Sequence, residues 1–510
     1  MRQRRGHPHP HKRTVRTEIQ RFLYRHRVAI AVLIGILFFA RLTNPFAIGS
    51  VVKEPFATRI DESGNIRLIP ESQIELWTAR TYKNFALLKS ATHILTNVYS
   101  GSKKTKSREV EGIIDEIHEL RFDPSYPYLI SGDSFSVFYP RSLGIFYATA
   151  LDPRTARSLL DWHNRQAMYL KSTAYALEVY SHAPALSTTI VPIGTKAVTL
   201  VNIYAYPSDT LYSLLYAINT MQDATVLSTL YPTTTKTDTK LVTQVEAAKL
   251  LEEYKEPLKR HVQQYKTMVF DSTTGLIKKD ILLSGTKDIA KRQSAFYDNV
   301  IYWKTLQLAS TLGLIDKNDQ ELAYLKKRII QTYWLPAKGY FLEDQSDEAI
   351  SNGYYSSDWL IALMTGFLNP KDRTDREYIA RSIAYIQKEK LDVPFGLKYQ
   401  QTNRSQREYP TVRLVAPEYG GTAIWSHWGI EYIKALILLS RETGERSYLD
   451  EANKQLESYS ENIIKYRGYP EVYNDKGEMF SNFFYKSVRQ TGWVVNFEEA
   501  RLMLEDAEAK

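Results

Sequence analysis

Apolar residues recur three or four positions apart along most of this chain, which is the spacing that gives an α-helix one buried face. Turns containing Gly, Pro or Asp separate these stretches. The pattern predicts helices over residues 72–98, 108–120, 134–150, 155–180, 208–221, 242–266, 288–314, 318–334, 353–366, 374–388, 422–440, 447–466 and 487–505. About twelve helices in one series, without an exact sequence repeat, favour an all-α (α/α)6 toroid.

Two regions alternate apolar and polar residues instead, which is the two-residue period of a β-strand. Residues 53–70 are typical of a hairpin around Glu62-Ser63-Gly64-Asn65, and residues 187–206 alternate in the same way. A Thr- and Lys-rich stretch, 233–243, is predicted to be a surface loop. We therefore predict a lead-in region over 53–130 and an (α/α)6 domain with small β-hairpins over 131–510. The helix that begins at Ser72 is expected to belong to that domain.

The net charge of +9 lies almost entirely in a basic N-terminal tail. Residues 1–27 contain nine Lys or Arg and one acid, so the rest of the chain is close to neutral. A body without a basic excess lacks the electrostatic attraction on which nucleic-acid binding depends. We therefore expect no nucleic-acid partner.

An uncharged apolar run, VAIAVLIGILFFA at residues 28–40, follows the tail. It is shorter than the roughly 20 residues of a full membrane span, but snorkelling of Arg41 extends the usable length to about residue 50. The basic flank predicts a cytoplasmic N-terminus. We predict a transmembrane signal anchor over 28–50, with the main domain at the cell surface or in the periplasm. A cleaved signal peptide and a buried N-terminal helix are the alternatives.

Several kinds of chemistry are excluded by what the sequence lacks. Cysteine is absent, so there are no disulfides, catalytic thiols or Cys-ligated metals. The His residues beyond the tail are scattered, and we predict no metal site and no cofactor. GxSxG, GxGxxG, Walker and HExxH motifs are also absent.

In a toroid of paired helices, the loops at one end surround a funnel, so polar and aromatic-rich junctions are candidates for a site. Hydrolysis of a glycosidic bond needs one protonated carboxyl group and one carboxylate. Aromatic rings and Arg side chains suit the faces and hydroxyls of sugars. Five junctions supply these residue types, and they contain Asp133 and Arg141; Asp288 and Arg292; Asp358; Trp425, His427 and Trp428; and Glu471 and Arg489.

The segment SGTKDIAKR resembles the catalytic-acid motif of inverting glycosidases with a six-hairpin (α/α)6 barrel, notably family 63 α-glucosidases and trehalases. Two residues, Thr286 and Lys287, stand where those enzymes have one aromatic residue. GGTAIWSHWG, GYPEVYNDKG and SVRQTGWVVNF resemble later segments of the family, so the similarity spans about residues 274–502. The rest of the acid motif is matched in order by Ser284, Gly285, Asp288 and Arg292.

The resemblance implies a glycoside hydrolase that acts on α-glucoside-type bonds with inversion and takes a carbohydrate substrate. Asp288 would protonate the leaving oxygen, and Glu471 would deprotonate water. If the extra residue displaces Asp288, Asp280 or Asp298 would substitute for it. Sugar-binding roles would fall to Asp133, Arg141, Arg292, Asp358, Trp425, His427, Trp428 and Arg489.

Simpler interpretations exist for the same residues. Asp288 at the start of a helix would interact favourably with the helix dipole, and Arg292 would form an ion pair with it four residues later. Trp425, His427 and Trp428 suit core positions on a helix. At the level of function, the alternatives are a non-catalytic glycan-binding or scaffold protein on the same fold and a polysaccharide lyase or phosphorylase.

Overall fold

The computed structural model describes residues 48–52, 57–60, 66–69, 92, 96, 103–132, 137–193, 197–202, 205–222, 236–287, 290–403 and 407–509. Its α-helices are α1 Val110–Arg121, α2 Leu159–Ser181, α3 Thr210–Gln222, α4 Lys236–Glu253, α5 Lys255–Val269, α6 Phe296–Thr311, α7 Asp319–Tyr333, α8 Asp347–Asn352, α9 Ile361–Met364, α10 Arg373–Lys388, α11 Pro410–Val415, α12 Ser426–Thr443, α13 Arg446–Tyr466 and α14 Val494–Glu508. Turns of 3-10 helix span Pro140–Leu143, Ala148–Leu151, Pro153–Thr155 and Ser357–Leu360.

The strands are short and lie between these helices. They are β1 Ile48–Val52, β2 Ala57–Ile60, β3 Ile66–Ile69, β4 Thr189–Ile193, β5 Ala197–Val201, β6 Tyr206–Pro207, β7 Phe270–Asp271, β8 Leu276–Ile277, β9 Leu283–Ser284, β10 Trp334–Leu335, β11 Tyr340–Phe341, β12 Ile424–Trp425 and β13 Val472–Tyr473. β1, β5 and β4 form one antiparallel sheet, and the other strands pair in twos.

Six inner elements form a closed ring within the described part of the chain. The 3-10 turns at 140–151 pack against α3, α3 against α6, and α6 against Ser357–Leu360 and α9. Ser357–Leu360 packs against α12, α12 against α14, and α14 returns to the 3-10 turns. The closure of this ring confirms the prediction of a mainly helical (α/α)6 toroid.

The outer layer consists of α1, α2, the α4–α5 pair, α7, α10 and α13. α2 and α4 pack on α3, α7 packs on α6, and α10 and α13 pack on α12. Burial follows this division, since every residue of α12 from Ser426 to Ile437 is buried. In α13 the buried residues recur with helical spacing on one face only. A helix covered on all sides belongs to an inner layer, and an amphipathic one belongs to the outside.

Both predicted hairpins are present, with β2 paired to β3 and β4 paired to β5. β1 adds a third strand to the second hairpin, with Ile48 opposite Val201. Residues 48–50 therefore belong to a strand, which corrects the end of the predicted anchor over 28–50. Residues 28–47 lie outside the described residues. In the described ranges, we find no helix with the length and apolar character that a membrane crossing requires.

Five predicted helices need correction. The segment 353–366 is the 3-10 turn Ser357–Leu360 followed by the four-residue helix α9, and the helix predicted over 487–505 begins only at Val494. The segment 134–150 contains 3-10 turns, because Phe138 forms an extended β-bridge with Ile190. The segment 242–266 is two helices, and the first of them begins inside the predicted loop 233–243. The helix predicted over 288–314 begins only at Phe296, because the preceding backbone hydrogen-bonds to other segments: the Lys291 amide to the Arg407 carbonyl and the Gln345 amide to the Gln293 carbonyl.

The predicted helix over 72–98 lies outside the described residues, except for Thr92 and Thr96, which are helical. The proposed division at residue 130 remains a prediction. α1, which lies in the predicted lead-in region, packs against α13 as part of the outer layer.

Candidate active site

The N-terminal ends of the inner elements meet at one end of the toroid. Arg141 lies in the first 3-10 turn, and its Nη1 donates a hydrogen bond to the Gly285 carbonyl at 2.6 Å. Its Nε is 3.5 Å from Oδ1 of Asp209, which directly precedes α3. The Tyr297 hydroxyl of α6 donates to Oδ2 of the same aspartate at 3.0 Å. These contacts connect three inner elements through buried polar groups.

Residue 285 has to be glycine, because the ring of Tyr297 packs directly against its backbone. A Cβ atom built on it would lie 2.5 Å from the ring of Tyr297, which is closer than any real contact. Asp209 is fully buried, and burial raises its pKa, while the positive charge of Arg141 acts in the opposite direction. The Ser284-Gly285 part of the motif therefore packs directly on the polar contacts that surround Asp209.

Arg292 forms a buried ion pair with Asp358 through Nη1. It lies before α6, so the predicted interaction with Asp288 along one helix does not describe its environment. Nε and Nη2 of Arg292 meet no hydrogen-bond acceptor within the described residues. Burial raises the pKa of the nearby Asp298 to about 6, while the charge of Arg292 opposes this rise.

Lys287, the residue that departs from the glycosidase motif, is buried in an ion pair. Its Nζ donates to Oε1 of Glu343 at 2.6 Å and lies 4.6 Å from the centre of the Tyr399 ring. Glu343 also accepts hydrogen bonds from Arg407 at 2.7 Å and Gln400 at 3.0 Å. Burial lowers the pKa of Lys287 to about 8, against the opposing charge of Glu343.

Glu471 lies beside the start of α12 because it directly precedes β13, which pairs with β12. Its Oε2 accepts a hydrogen bond from the Tyr485 hydroxyl at 2.6 Å. Its backbone carbonyl accepts from the Ser426 amide at 3.0 Å. Only 5% of the residue is exposed. The strand pairing therefore holds the backbone of this buried, hydrogen-bonded residue beside the start of α12.

Trp425 belongs to a group of packed aromatic rings at the same end. It lies parallel to Trp493 at 6.2 Å between ring centres, and Trp493 stacks on Phe146 at 4.4 Å. The indole nitrogen of Trp425 donates to the Tyr419 carbonyl at 2.8 Å. Trp428 makes edge contacts with Tyr297 and Tyr399.

His427 is held among these rings, 4.8 Å from Phe146 and 4.7 Å from Trp428 between ring centres. Neither ring nitrogen has a hydrogen-bond partner among the residues that the structure describes. Burial lowers the pKa of His427 to about 3, so the imidazole is neutral at physiological pH.

Arg489 lies on the other side of Glu471, whose backbone amide donates to the Val488 carbonyl at 3.0 Å. Nε of Arg489 contacts the sulfur of Met479 at 3.3 Å. Of the ten predicted site residues, Asp133 and Asp288 lie outside the described residues. The others lie at the end of the toroid where the inner elements begin: Arg141, Arg292, Asp358, Trp425, His427, Trp428, Glu471 and Arg489.

Glu408 is a buried carboxyl group at this end that the sequence analysis did not identify. It pairs through the backbone with Ala290, two residues after Asp288. Its Oε2 has no hydrogen-bond partner within the described ranges. Burial raises its pKa, opposed by the charge of Lys287. Its segment, SQREYP, contains no recognisable motif, so only the backbone pairing reveals that it belongs here.

Glu343 and Arg407 were missed for the same reason, because each meets Lys287 from a distant part of the chain. The alternative proton donor Asp280 is exposed at the surface, whereas Asp298 is buried. The described residues contain no group of three or more His, Asp or Glu side chains arranged to hold a metal ion. The described residues at this end supply carboxyl groups, Arg, Lys and His side chains and aromatic rings.

No protein-family model and no curated protein sequence matches the chain. Among solved structures, it is similar to the rhamnosidase from Klebsiella oxytoca with rhamnose bound, at 14% identity over 78% of this chain and 64% of that chain, with a TM-score of 0.48. It is also similar to the glucoamylase from Saccharomycopsis fibuligera, at 12% identity over 81% and 98%, with a TM-score of 0.45. A third is a D-mannose isomerase, at 11% identity over 79% and 100%, with a TM-score of 0.41.

The chain spans less than two thirds of the length of that rhamnosidase. Glycosidases, the class that the sequence resemblance names, are thus among the solved structures to which the chain is similar. With TM-scores below 0.5, these likenesses carry no argument about substrate or mechanism.

Proposed function

We propose that this protein is a glycoside hydrolase with its active site where the inner elements of the toroid begin. The observation that carries this proposal is the Glu471 carboxyl group, which is buried and hydrogen-bonded to Tyr485, whose ring contacts Tyr419, which in turn contacts the ring of Trp425. Glycoside hydrolysis requires a carboxylate beside a surface that holds a sugar ring. The same end of the toroid also contains the buried Arg292–Asp358 pair.

In the proposed reaction, a carboxyl group protonates the glycosidic oxygen while the bond from that oxygen to the anomeric carbon breaks. Glu471 takes a proton from a water molecule, whose oxygen attacks the anomeric carbon from the opposite face. This yields a product of inverted configuration. We assign the donor to Asp288 on the sequence resemblance, and we propose an α-glucoside-type oligosaccharide or polysaccharide as substrate.

The surrounding residues would bind the substrate in different ways, depending on how buried they are. Trp425 and Arg489, at 9% and 8% exposure, retain some accessible surface and would contact sugar. Asp358 and Trp428 are almost completely buried and would shape the wall behind them, while Nε and Nη2 of the buried Arg292 would donate hydrogen bonds to the substrate. We further propose direct contacts from Asp133 and Arg141, and a hydroxyl contact from His427.

The tail and apolar run at residues 1–47 support a further proposal on location. We propose that they anchor the protein in a membrane with the toroid outside the cytoplasm. Protease treatment of spheroplasts, in which cell-surface and periplasmic domains are both accessible, should degrade the toroid while the tail stays protected. Protection of the whole chain would contradict this topology.

Hydrolysis is tested by incubating the purified full chain with a panel of α- and β-linked gluco-oligosaccharides. Proton NMR identifies the anomer that is formed first. Glu471→Gln and Asp288→Asn should each lower kcat by about 1,000-fold or more, since loss of a general acid or base removes much of the rate enhancement. Matched controls are Glu478→Gln and Asp280→Asn, which change exposed carboxylates in the same two segments.

Three results would contradict parts of this proposal. Turnover by Glu471→Gln at the wild-type rate would exclude Glu471 as the base. Retention of configuration would exclude inversion. Full activity of Asp288→Asn would move the donor role to another carboxyl group, with Asp298 and Glu408 as the buried candidates.

The second candidate function is a glycan-binding protein without activity. The observation that favours it is Lys287, a buried cation within the segment that resembles the acid motif. Binding of an oligosaccharide by calorimetry, without release of product, would support this alternative. A lyase is less well supported, because Arg292 and Arg407, which would neutralise an acidic sugar, already pair with carboxylates.

A further inference from the structure

Glu343 connects distant loops of the chain at the candidate site. It lies after β11 and is completely shielded from solvent. Lys287 and Arg407 reach it from two sides at 2.6 and 2.7 Å. Gln400 donates to both of its carboxylate oxygens at 3.0 Å. The carboxylate therefore fixes three donors, which come from the β9–α6 and α10–α11 loops, at one point.

Lys287 links this point to the aromatic side of the site. Its ammonium lies over the ring of Tyr399, which in turn contacts the rings of Trp425 and Trp428 edge-on. The next residue in the chain is Asp288. The Lys287 side chain thus connects the segment that leads into Asp288 with both Glu343 and the tryptophans.

Stability alone gives little reason for this ion pair. Removing an ammonium and a carboxylate from water costs several kcal/mol, and their attraction in the interior often only offsets that cost. A well-packed apolar side chain would serve stability equally well. What the pair adds is a defined geometry, because a 2.6 Å contact between Nζ and Oε1 tolerates little displacement.

We propose that Lys287 is a positioning residue, whose ion pair with Glu343 holds the Asp288 segment in the geometry needed for proton transfer. This inference rests on the proposed function. It also gives a role to the Thr286-Lys287 pair, by which the chain differs from the motif it resembles.

The charge of Lys287 depends on the groups around it. Glu343 and Asp358 favour the ammonium, Arg292 disfavours it, and the carboxyl group of Glu408 lies close enough to be affected by it. Burial dominates and lowers the pKa to about 8 from its ordinary 10.5. The ion pair is therefore present below about pH 8 and is lost as the pH rises through that value.

The test compares Lys287→Met with Lys287→Arg on the substrate that the wild type hydrolyses. Lys287→Met should lower kcat by about 100-fold with KM changed less than about threefold, since a displacement of about 1 Å has an effect of that size. Lys287→Arg should restore most of kcat. Because Arg stays charged, the ratio of its kcat to that of the wild type should rise about tenfold between pH 7 and pH 9.

Lys326→Met is the matched control. Lys326 also forms an ion pair of 2.6 Å, with Asp375, and its ammonium also lies over an aromatic ring, that of Phe367. This pair joins α7 to α10 in the outer layer. Its loss should leave kcat within about threefold of the wild type, because no candidate site residue depends on it.

The outcomes separate this inference from the proposed function. An active wild type together with a Lys287→Met variant of normal kcat would overturn the positioning role alone. Equal losses in Lys287→Met and Lys326→Met would also overturn it. A wild type without turnover would overturn the proposed function itself. If Lys287→Met does not fold, a pH-independent ratio of Lys287→Arg to wild-type kcat would still overturn the inference.

Discussion

Arg165 and Arg292 are both completely buried arginines, at 0% and 1% exposure, but their surroundings differ. All three nitrogens of Arg165 have acceptors, with Nε and Nη2 donating to Asp161 at 3.0 and 2.7 Å and Nη1 to Thr155 at 2.9 Å. Within the described ranges, Arg292 has one ion-pair partner, Asp358, and its guanidinium lies 5.9 Å from the centre of the Tyr297 ring. Its other two nitrogens meet no acceptor among the residues described.

The two arginines also connect different parts of the fold. Arg165 and His118 bring α2 and α1 together with Glu498 of α14, so this cluster joins early and late helices of the described chain. Arg292 connects the loop before α6 with the 3-10 turn Ser357–Leu360. A buried donor without a partner costs about 1–3 kcal/mol. Such a donor needs a partner, and for Nε and Nη2 of Arg292 we propose a bound ligand.

The largest effect on stability is expected at Arg165. Arg165→Met should lower the free energy of unfolding by about 4 kcal/mol, because Asp161 and Glu498 would lose their buried counter-charge. Urea denaturation measures this loss. Arg446→Met, which breaks an exposed ion pair with Asp450, is the control and should cost about 0.5 kcal/mol or less. If Arg165→Met lowered the free energy of unfolding by less than about 1 kcal/mol, the ion-pair cluster would not be important for the packing of α1, α2 and α14.

Arg292→Met should cost less, about 3 kcal/mol, since only Asp358 loses a partner. Its larger effect should be on ligand binding. An oligosaccharide that raises the melting temperature of the wild type should no longer do so in this variant, whereas Arg165→Met should keep the ligand effect. If the ligand stabilised Arg292→Met as much as the wild type, Arg292 would have no role in ligand binding, and the difference between the two arginines would be structural only.

The carboxyl groups near the two arginines should respond to pH in opposite directions. Burial raises the pKa of Asp298 to about 6 from 3.8, so the folded state binds a proton more tightly than the unfolded state. Its contribution to stability is present at low pH and is lost as the pH rises towards 6. The wild type should therefore lose about 2 kcal/mol relative to Asp298→Asn between pH 4 and pH 6.

Asp161 provides the opposite case. Burial alone would raise its pKa, but the charge and hydrogen bonds of Arg165 outweigh burial, and the pKa is lowered. Its contribution is present above the unfolded-state pKa and is lost as the pH falls. The wild type should gain stability relative to Asp161→Asn as the pH rises from 3 to 5. Urea denaturation at each pH gives the free energy of unfolding. If this free energy changed with pH in the same way in the wild type and in either variant, the pKa shift assigned to that aspartate would be wrong.

The smallest effects are expected at two buried serines. Ser172 in α2 accepts a hydrogen bond from the Leu129 amide at 2.8 Å and donates to the Met168 carbonyl at 2.6 Å. Ser172→Ala should cost about 1–2 kcal/mol, because the amide is left without a partner. The hydroxyl of Ser356, near Asp358, has no partner within the described ranges. Ser356→Ala should change stability by less than about 0.5 kcal/mol, and equal losses would contradict the comparison.

The local pattern of the sequence was sufficient for most of the described helices and for both hairpins. Helix α10 spans Arg373–Lys388 against a prediction of 374–388, and α13 spans Arg446–Tyr466 against 447–466. Amphipathic spacing and capping residues are properties of neighbouring positions, so they can be read without the fold. The same patterns located the five loops between helices that were predicted to contain the site residues.

The tertiary structure alone decided the partners at the candidate site. Helix α6 begins eight residues later than predicted, because the backbone before it pairs with residues 345 and 407. Lys287 and Glu343 are 56 residues apart, and Arg292 and Asp358 are 66 apart. Glu408 reaches the site through its backbone pairing with Ala290. Contacts of this kind form only when the ring of helices closes. The local spacing of apolar residues cannot predict them, because they join residues that are far apart in the sequence.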